Sequence, residues 1–371
     1  MDLITLTKTL LSFNNINPPG NEEDIARFTA TLLQENGFNV RLPEFSEGRL
    51  HLIAEKGLSD DNPPVVLSGH FDTVPLGNKK WSVDPFAGEI SGGKIWGRGS
   101  SDMKGGVAAM ILAAIDSFKN ESPSGGVRLI FTAAEELGCI GIQQLIKTTE
   151  NIGQASAVIV GEPTGNIPAT GHKGAIYLNA VTSGKTAHSS MPHLGENAIY
   201  KAATALLKAR DFRFKTEVDT LLGYPTINVG KMAGGLNINS VPDHAEFTID
   251  IRSTSKTDHE KTLRRLSEEL GEEIKLEVLV NMTPVFTNED DPFVHLVYEI
   301  CGIKTGTEGF PKSLPYLTDG SVLQKTYGGV PTIILGPGEA EMAHKTDEYC
   351  HISKLEESYR IYREILSKWR K

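Results

Sequence analysis

Four short apolar runs stand out in the hydrophobic pattern of the chain. Each is rich in Val, Ile and Leu and has the length of a strand buried on both faces of a parallel sheet. The runs are residues 65–67, 127–131, 157–160 and 332–335. Helical periodicity separates or follows them, notably in residues 104–118 and 140–148. This alternation predicts an α/β fold whose mostly parallel sheet has helices on both faces.

The hydrophobic pattern changes between residues 175 and 283. The pattern there predicts a strand, a helix, two strands, a second helix and a last strand, an order that is typical of the split βαβ, or ferredoxin-like, α+β motif. The predicted elements are residues 176–181, 197–210, 226–231, 245–251, 258–270 and 274–280. Parallel-sheet signals resume after Pro284 and Pro292. We therefore expect one discontinuous domain, residues 1–174 and 284–371, which carries an inserted domain of residues 175–283.

Composition excludes several classes of protein. The chain has 37 Lys and Arg against 47 Asp and Glu, a net charge of −10, which disfavours nucleic acid and anionic membranes as partners. Three cysteines, Cys139, Cys301 and Cys350, have no pair spacing, so we expect no disulfide framework and a reducing, cytoplasmic location. The longest apolar run, residues 107–115, is about half of what spans a bilayer. The first residues lack the features of a secretory signal.

Histidine and acidic residues follow each predicted parallel strand. Ligands in open α/β sheets bind beyond the carboxyl ends of the strands, so these side chains are expected to converge. They are His70 and Asp72 after the first run, Glu135 and Glu136 after the second, Glu162 after the third and His344 after the fourth, with Asp102 in a glycine-rich loop before the helix at 104–118.

This collection of side chains predicts a metal site. Imidazole with carboxylate suits zinc, and to a lesser degree manganese or cobalt. The donors are too many for one tetrahedral zinc with an open position, but they suit two ions about 3.5–4 Å apart that share a carboxylate. Of the neighbours Glu135 and Glu136, one can bind metal while the other acts as general base, because alternate side chains point opposite ways. Asp72 can fix the tautomer of His70 through its other N–H.

Six segments together resemble the M20 metallopeptidase family, in the branch of acetylornithine deacetylase and succinyl-diaminopimelate desuccinylase. Each carries one of the family's motifs, and they occur in the family's order over nearly the whole chain. The segments are residues 17–22, 68–86, 97–106, 132–138, 161–164 and 343–349. The resemblance implies a catalytic domain of the di-zinc aminopeptidase type.

The resemblance also implies a role for each candidate residue. Asp102 would bridge two Zn²⁺ ions per subunit, which Co²⁺ or Mn²⁺ can replace. His70 and Glu162 would complete one site, and His344 and Glu136 the other. Glu135 would be the general base and Asp72 the partner of His70. A cis peptide bond would follow Asp102.

The inserted domain resembles the family's lid, through which the dimeric members pair. Residues 184–199 are similar to the lid motif, and the resemblance makes His188 the residue that stabilises the oxyanion in the partner subunit's site of a homodimer. Asn239 and Arg252 lie in segments similar to those that hold the substrate carboxylate, for which a guanidinium is apt. Thr318 and Asp319 resemble a loop that lines the substrate pocket.

The implied function is a zinc-dependent amidohydrolase of amino-acid biosynthesis. It would remove an acetyl or succinyl group from the amine of a small amino acid, as in acetylornithine or succinyl-diaminopimelate. One alternative is an exopeptidase of the same scaffold, either a dipeptidase or a carboxypeptidase. Another is a catalytically silent binding protein, which should have lost a ligand or the base, whereas every matching position is filled here. The chain has no Gly-x-Ser-x-Gly or His-Glu-x-x-His motif for other hydrolytic chemistry.

Overall fold

The chain forms two compact units, Met1–Gly171 with Val285–Lys371, and His172–Pro284. The structure is a computed structural model that describes residues 1–59, 61–120, 122–149, 152–304 and 312–369. Within those ranges, none of the helices combines the length and apolar character that a membrane crossing requires.

The secondary structure is numbered in chain order. The helices are α1 (Leu3–Ser12), α2 (Glu23–Glu35), α3 (Lys104–Asn120), α4 (Ile140–Thr148), α5 (Ala198–Asp211), α6 (His259–Leu270), α7 (Pro292–Ile300), α8 (Gly320–Thr326) and α9 (Ile352–Lys368). The strands are β1 (Asn39–Arg41), β2 (Glu44–Ser46), β3 (Arg49–Leu50), β4 (Leu52–Lys56), β5 (Val65–His70), β6 (Glu89–Ser91), β7 (Lys94–Trp96), β8 (Val127–Thr132), β9 (Ala157–Val160), β10 (Gly171–His172), β11 (Gly174–Ser183), β12 (Thr226–Gly234), β13 (His244–Ser253), β14 (Ile274–Met282), β15 (Val285–Phe286), β16 (Ser313–Leu314), β17 (Thr332–Ile334) and β18 (Tyr349–His351).

A six-stranded sheet forms the centre of the first unit, with the order β1-β4-β8-β5-β9-β17. The strands β8, β5, β9 and β17 run parallel, while β4 is antiparallel to β8 and β1 is antiparallel to β4. Leu67 on β5 lies between Leu129 on β8 and Ile159 on β9, which fixes the register of the parallel part. The prediction of a mostly parallel sheet is confirmed, and the antiparallel edge is an addition.

Both faces of this sheet are covered, which explains the continuous apolar runs. Every residue of β5, β8 and β9 is buried, as expected for strands with helices on both sides. The helices α3 and α9 pack against each other, and the apolar residues of α3 join Tyr362 and Ile365 of α9 in one hydrophobic core. The apolar run at residues 107–115 is therefore a buried helix.

The parallel strands end at one edge of the sheet, and the loops that follow them carry the candidate residues. The strand β5 ends at His70 itself, and β8 ends three residues before Glu135. The helix α3 begins two residues after Asp102. A side chain at Gly106 would place its Cβ 2.6 Å from the carbonyl oxygen of Gly161, so this glycine allows α3 to approach the loop of Glu162 closely.

The second unit is a four-stranded antiparallel sheet with two helices. Its strand order is β12-β13-β11-β14, and β11 and β13 pair along their whole length, from Gly174 opposite Ser253 to Ser183 opposite His244. Alternate residues of β13 are buried and form a core with small residues of α5 such as Ala202. The elements follow the order βαββαβ that the sequence pattern predicts.

Candidate metal centre

Two groups of side chains converge on Asp102, which is buried and belongs to both. The first is His70, Asp102 and Glu162, and the second is Asp102, Glu136 and His344; within each group the nitrogen and oxygen atoms lie within 4.8 Å of one another. Oδ1 of Asp102 is 3.2 Å from Nε2 of His70, whereas Oδ2 is 3.5 Å from Nε2 of His344. One carboxylate thus faces two imidazoles with its two different oxygens.

The remaining two acids complete these groups, one in each. Oε1 of Glu162 is 3.8 Å from Nε2 of His70, and Oε2 of Glu136 is 3.1 Å from Nε2 of His344. The structure therefore brings together all five of the residues predicted to bind metal. The peptide bond between Asp102 and Met103 is cis, as the resemblance implies.

The imidazole of His70 is oriented by backbone. Its Nδ1 lies 2.8 Å from the carbonyl oxygen of Asp72, but 3.7 Å from Oδ1 of the same residue, which is beyond hydrogen-bond length. Nδ1–H therefore donates to the carbonyl, and Nε2 is left to face Asp102 and Glu162. Asp72 therefore holds the other N–H of His70, as expected, and it does so through its backbone carbonyl and not through its carboxylate.

The Asp72 carboxylate has a different set of partners. Oδ1 accepts the backbone N–H of Glu135 at 3.1 Å, and Oδ2 accepts the N–H of Glu136 at 3.1 Å and the side-chain amide of Asn17 at 2.8 Å. These bonds fix the turn after β8, in which Ala134 has a left-handed φ of 59°. Asn17 was missed as a site residue, although it lies in the Asn-Pro-Pro-Gly segment that marks the resemblance.

Glu135 lies outside both groups that share Asp102. Its carboxylate belongs to a third buried cluster with Cys139 and Asp319, and the Cys139 thiol donates to Oε1 at 3.1 Å. Oδ2 of Asp319 accepts a hydrogen bond from Thr132 at 2.6 Å. Thr318 and Asp319 are both buried, so their contact with a substrate stays a prediction, while Asp319 is a neighbour of Glu135.

The electrostatics of the centre favour a bound cation. Burial raises the pKa of Glu162 and of Glu135 well above the ordinary value of a carboxyl group. For Asp102, hydrogen bonds from His344 and His70 outweigh burial and lower the pKa. The hydrogen bonds that the His344 imidazole donates to Asp102 and to Glu136 raise the pKa of His344 to about 10. Buried acids in this number are stabilised by positive charge placed among them.

The donor set fits two divalent cations. Each group offers one imidazole nitrogen and two carboxylates, and three protein ligands leave an open coordination position, as in catalytic sites. Oε1 of Glu136 is buried and, among the described residues, has no hydrogen-bond partner, as expected for an oxygen that serves a cation. Imidazole with carboxylate suits zinc and also other first-row divalent metals.

Three predicted site residues belong to the second unit. His188 is exposed, and its Nδ1 accepts the backbone N–H of Ser190 at 3.1 Å and lies 2.7 Å from that residue's hydroxyl. Asn239 lies in an exposed loop, where its carbonyl oxygen accepts the Ser189 N–H at 3.0 Å. Arg252 pairs with Asp250, with Nε at 2.9 Å from Oδ1, and stacks over the Tyr177 ring.

A mostly parallel sheet with a candidate cation site of this composition at the carboxyl ends of its strands is typical of metal-dependent α/β hydrolases. Residues 66–368 match the model of Peptidase family M20/M25/M40. The chain belongs to this family of metallopeptidases and is a hydrolase.

Known proteins that are similar to the chain include a desuccinylase and a deacetylase. A probable succinyl-diaminopimelate desuccinylase of Staphylococcus aureus is 29% identical over 363 residues, which cover 89% of this chain and 90% of the relative. An acetylornithine deacetylase of Aliivibrio salmonicida is 29% identical over 375 residues, which cover 98% of this chain and 95% of the relative.

Solved structures show the same fold. An M20 family metallo-carboxypeptidase from Sulfolobus solfataricus superposes with a TM-score of 0.80 at 20% identity and covers 99% of both chains. A Bacillus subtilis protein described as a dinuclear metal binding peptidase of the M20 family has a TM-score of 0.70 at 16% identity, covering 98% of this chain and 96% of its own.

Proposed function

We propose that the chain is a two-metal amidohydrolase that removes an acetyl or succinyl group from the amine of a small amino acid. The observation that carries the proposal is the position of Asp102, whose two carboxylate oxygens face His70 and His344 separately. We assign the bridging role to Asp102, one cation to His70 and Glu162, and the other to His344 and Glu136. Zinc is the proposed metal, with cobalt or manganese as substitutes.

The divalent ions that these residues would hold would supply a lowered pKa of water and a polarised acyl carbonyl. Glu135 is the proposed general base, since its carboxylate belongs to neither group and the residue directly precedes Glu136, a member of the second group. Its carboxylate accepts a proton from the attacking water and returns it to the departing amine. The hydrogen bonds that the backbone N–H groups of Glu135 and Glu136 donate to Asp72 keep this base beside the candidate ligand that follows it.

Three residues of the second unit are assigned to the substrate. The guanidinium of Arg252 donates a hydrogen bond from Nη2 to Asp250 and has its Nε 2.9 Å from Oδ1 of the same residue, and we propose Nη1 for the substrate carboxylate. Asn239 would bind the same carboxylate. His188 would stabilise the negative charge that develops on the acyl oxygen, with its ring held through Nδ1 by Ser190.

The acyl group and the amine are proposed from the relatives. Desuccinylase and deacetylase are the names of proteins that match nearly the whole chain at 29% identity. Both names describe hydrolysis of an amide between a small acyl group and an amino acid. An enzyme of amino-acid biosynthesis follows from either one.

An exopeptidase is the second candidate. It is favoured by the similarity to the Sulfolobus metallo-carboxypeptidase over 99% of the chain. A peptide substrate would use the same base and the same cations, because the scissile bond is again an amide next to a carboxylate. The two candidates differ only in the group that the substrate pocket accepts.

A substrate panel separates the candidates. The purified chain, loaded with zinc or cobalt, is assayed with acetylornithine, succinyl-diaminopimelate, dipeptides and tripeptides, and the released amine is quantified. The proposal expects kcat/KM for one N-acyl amino acid to exceed that for every peptide by at least about tenfold. Preference for a peptide would transfer the assignment to the exopeptidase, and no turnover of any compound would reject both.

We also propose that the second unit acts as a lid and pairs with a second copy of the chain. Its strand β12 lies at an edge of the sheet, with β13 as its neighbour. In the loop that follows, Leu236 is 97% exposed and Ile238 is 100% exposed. An open strand edge beside exposed apolar side chains is the kind of surface that a symmetric partner covers.

A cytoplasmic location is proposed from the cysteines. Cys139, Cys301 and Cys350 are free, which suits a reducing compartment. Expression of the chain with a reporter fused to it, followed by cell fractionation, tests this assignment.

A further inference from the structure

Glu348 is a buried carboxylate at the centre of the loop that carries Asp102. Oε1 accepts the backbone N–H groups of Ser101 at 2.8 Å and of Asp102 at 3.0 Å. Oε2 accepts the N–H of Gly99 at 3.1 Å and an N–H of the Arg98 guanidinium at 2.5 Å. Four donors from a stretch of five residues therefore point at one side chain, which is fully buried.

The same side chain belongs to the segment of His344. Glu348 lies four residues after His344 and directly before β18, and β18 pairs with β7, which directly precedes the Asp102 loop. A second link joins the two segments, since Ser101 Oγ donates to the carbonyl oxygen of Tyr349 at 2.7 Å and accepts the N–H of Glu339 at 3.1 Å. The loop of the shared carboxylate and the loop of the exposed imidazole are thus tied at several points.

Arg98 links the Asp102 loop to a third loop. Its guanidinium donates to the carbonyl oxygen of Pro75 at 3.0 Å and lies over the Trp81 ring. Pro75 and Trp81 belong to the loop that follows His70 and Asp72. Glu348 and Arg98 therefore connect three of the loops that carry candidate metal ligands.

We propose that Glu348 is a positioning residue that fixes the backbone of Asp102 relative to His344, so that the affinity for both cations depends on it. The inference deepens the proposed function, because it assumes that Asp102 is shared between two ions. A ligand that is held in place before the ion arrives binds with less loss of freedom, and residues that orient ligands contribute about 10- to 100-fold to metal affinity. Glu348 itself touches neither cation in this arrangement.

The experiment is a metal titration of the full-length chain. Metal-free protein is titrated with zinc against a chromophoric chelator, and with cobalt by visible absorption, which reports the geometry of the site. The variants are Glu348→Gln, which keeps the size but replaces one acceptor by a donor, and Glu348→Asp, which keeps the charge but shortens the reach. His344→Ala is the comparison that removes one ligand of one ion.

Glu55→Gln is the matched control for loss of a buried ion pair. Glu55 pairs with Arg128 at 2.6 Å inside the sheet, between β4 and β8, where Arg128 is buried. This pair is similar in length to the Arg98–Glu348 pair of 2.5 Å but lies on strands that carry no candidate ligand at this point. The Glu55→Gln variant shows how the loss of an ion pair away from the candidate ligands affects the stability and the metal affinity of the chain. Thermal unfolding of all variants is recorded beside the titrations.

We expect wild type to bind two equivalents. Glu348→Gln should weaken the binding of both ions by about 10- to 100-fold and change the cobalt spectrum. Glu348→Asp should show a smaller loss of affinity. His344→Ala should weaken the binding of one ion only. Glu55→Gln should lower the unfolding temperature and leave both affinities unchanged. If Glu348→Gln does not fold, the metal affinities of Glu348→Asp test the inference.

Two outcomes overturn the inference: wild-type affinities in a folded Glu348 variant, or an equal loss in Glu55→Gln. Fewer than two equivalents in the wild type would instead reject the proposed two-metal function.

Discussion

The carboxylate of Asp72 holds Glu135 by its backbone, with Oδ1 of Asp72 3.1 Å from the Glu135 amide nitrogen. The other oxygen accepts the next amide, that of Glu136, at the same distance. A single buried side chain thus sets the positions of two neighbouring acids to which we assign different tasks. The turn that separates the proposed base from the proposed ligand is fixed by hydrogen bonds to its backbone, so neither carboxylate is needed to hold the turn.

Replacing Glu135 by Gln should abolish turnover without removing metal. Glutamine has nearly the same size but cannot accept the proton of the attacking water, so kcat should fall by about 10²- to 10⁴-fold. Metal content should stay at two equivalents, because Glu135 lies outside both groups around Asp102. Steady-state kinetics and metal analysis on the same preparation test this. A kcat within tenfold of wild type would reject Glu135 as the base.

Asp72→Asn should lower kcat while leaving the substrate KM nearly unchanged. The amide group can accept at one oxygen only, and its NH₂ group faces a donor, so at least one of the bonds to Glu135 and Glu136 is lost. We expect about a 10- to 100-fold loss of kcat, by analogy with other residues that orient a metal site.

The graded comparison is Asn17→Ala, which removes the bond to Asp72 Oδ2 but keeps both backbone bonds. The loss of kcat in this variant should be smaller than the loss in Asp72→Asn. If kcat falls equally in the two variants, the side chain of Asn17, and not the hydrogen bonds between Asp72 and the turn, would account for the loss of kcat.

The acid sensitivity of the fold should depend on His51. Its Nδ1 accepts the Ala133 N–H at 3.1 Å, and burial lowers the pKa of this histidine from 6.5 to about 4. The unfolded chain therefore binds the proton first. The stability that neutral His51 contributes is complete above about pH 6.5 and is lost as the pH falls towards 4.

The variant His51→Asn keeps an acceptor for the Ala133 amide but has no titration in this range. Urea unfolding at pH 7 and pH 4.5 measures the effect on the free energy of unfolding. Wild type should lose about 2 kcal/mol more than the variant between these pH values. Parallel losses in both proteins would contradict the prediction.

A charge at Ile238 should produce monomers if the second unit pairs with another copy. Burying the new carboxylate of Ile238→Glu against an apolar partner surface costs several kcal/mol, so dimers should dissociate at micromolar concentration. Light scattering coupled to gel filtration gives the mass directly. Leu58→Glu, at an exposed apolar position of the first unit, is the control and should keep the wild-type mass. A monomeric wild type would reject the dimer.

Periodicity was sufficient to predict the main elements. The helix α4 and the strand β9 have the predicted bounds, and the elements of the second unit differ from the prediction by at most three residues. These segments combine a strong apolar pattern with clear turn residues, so local sequence determines them. Most candidate ligands were found for a related reason, since His70, Glu136 and Glu162 lie at or within four residues of the end of such a strand and Asp102 precedes such a helix, whereas His344 follows β17 only after a turn.

The edge of the sheet and the orientation of side chains were not predicted. The strands β1 and β4 are three and five residues long, and their pairing depends on chain reversals that no local pattern encodes. Whether His70 bonds the carbonyl or the carboxylate of Asp72 is decided by less than 1 Å, at 2.8 against 3.7 Å. Glu348 was visible beside His344, but its contact with a loop some 250 residues earlier is purely tertiary.

The late position of His344 and Glu348 along the chain has a consequence for biogenesis. A ribosome that has translated the first 340 residues has already delivered His70, Asp102, Glu136 and Glu162, yet the imidazole of the second group and the carboxylate beneath Asp102 are still missing. Such a nascent chain holds every residue of the first group but lacks the imidazole of the second. Completion of the second proposed site therefore waits until the last part of the chain has been made.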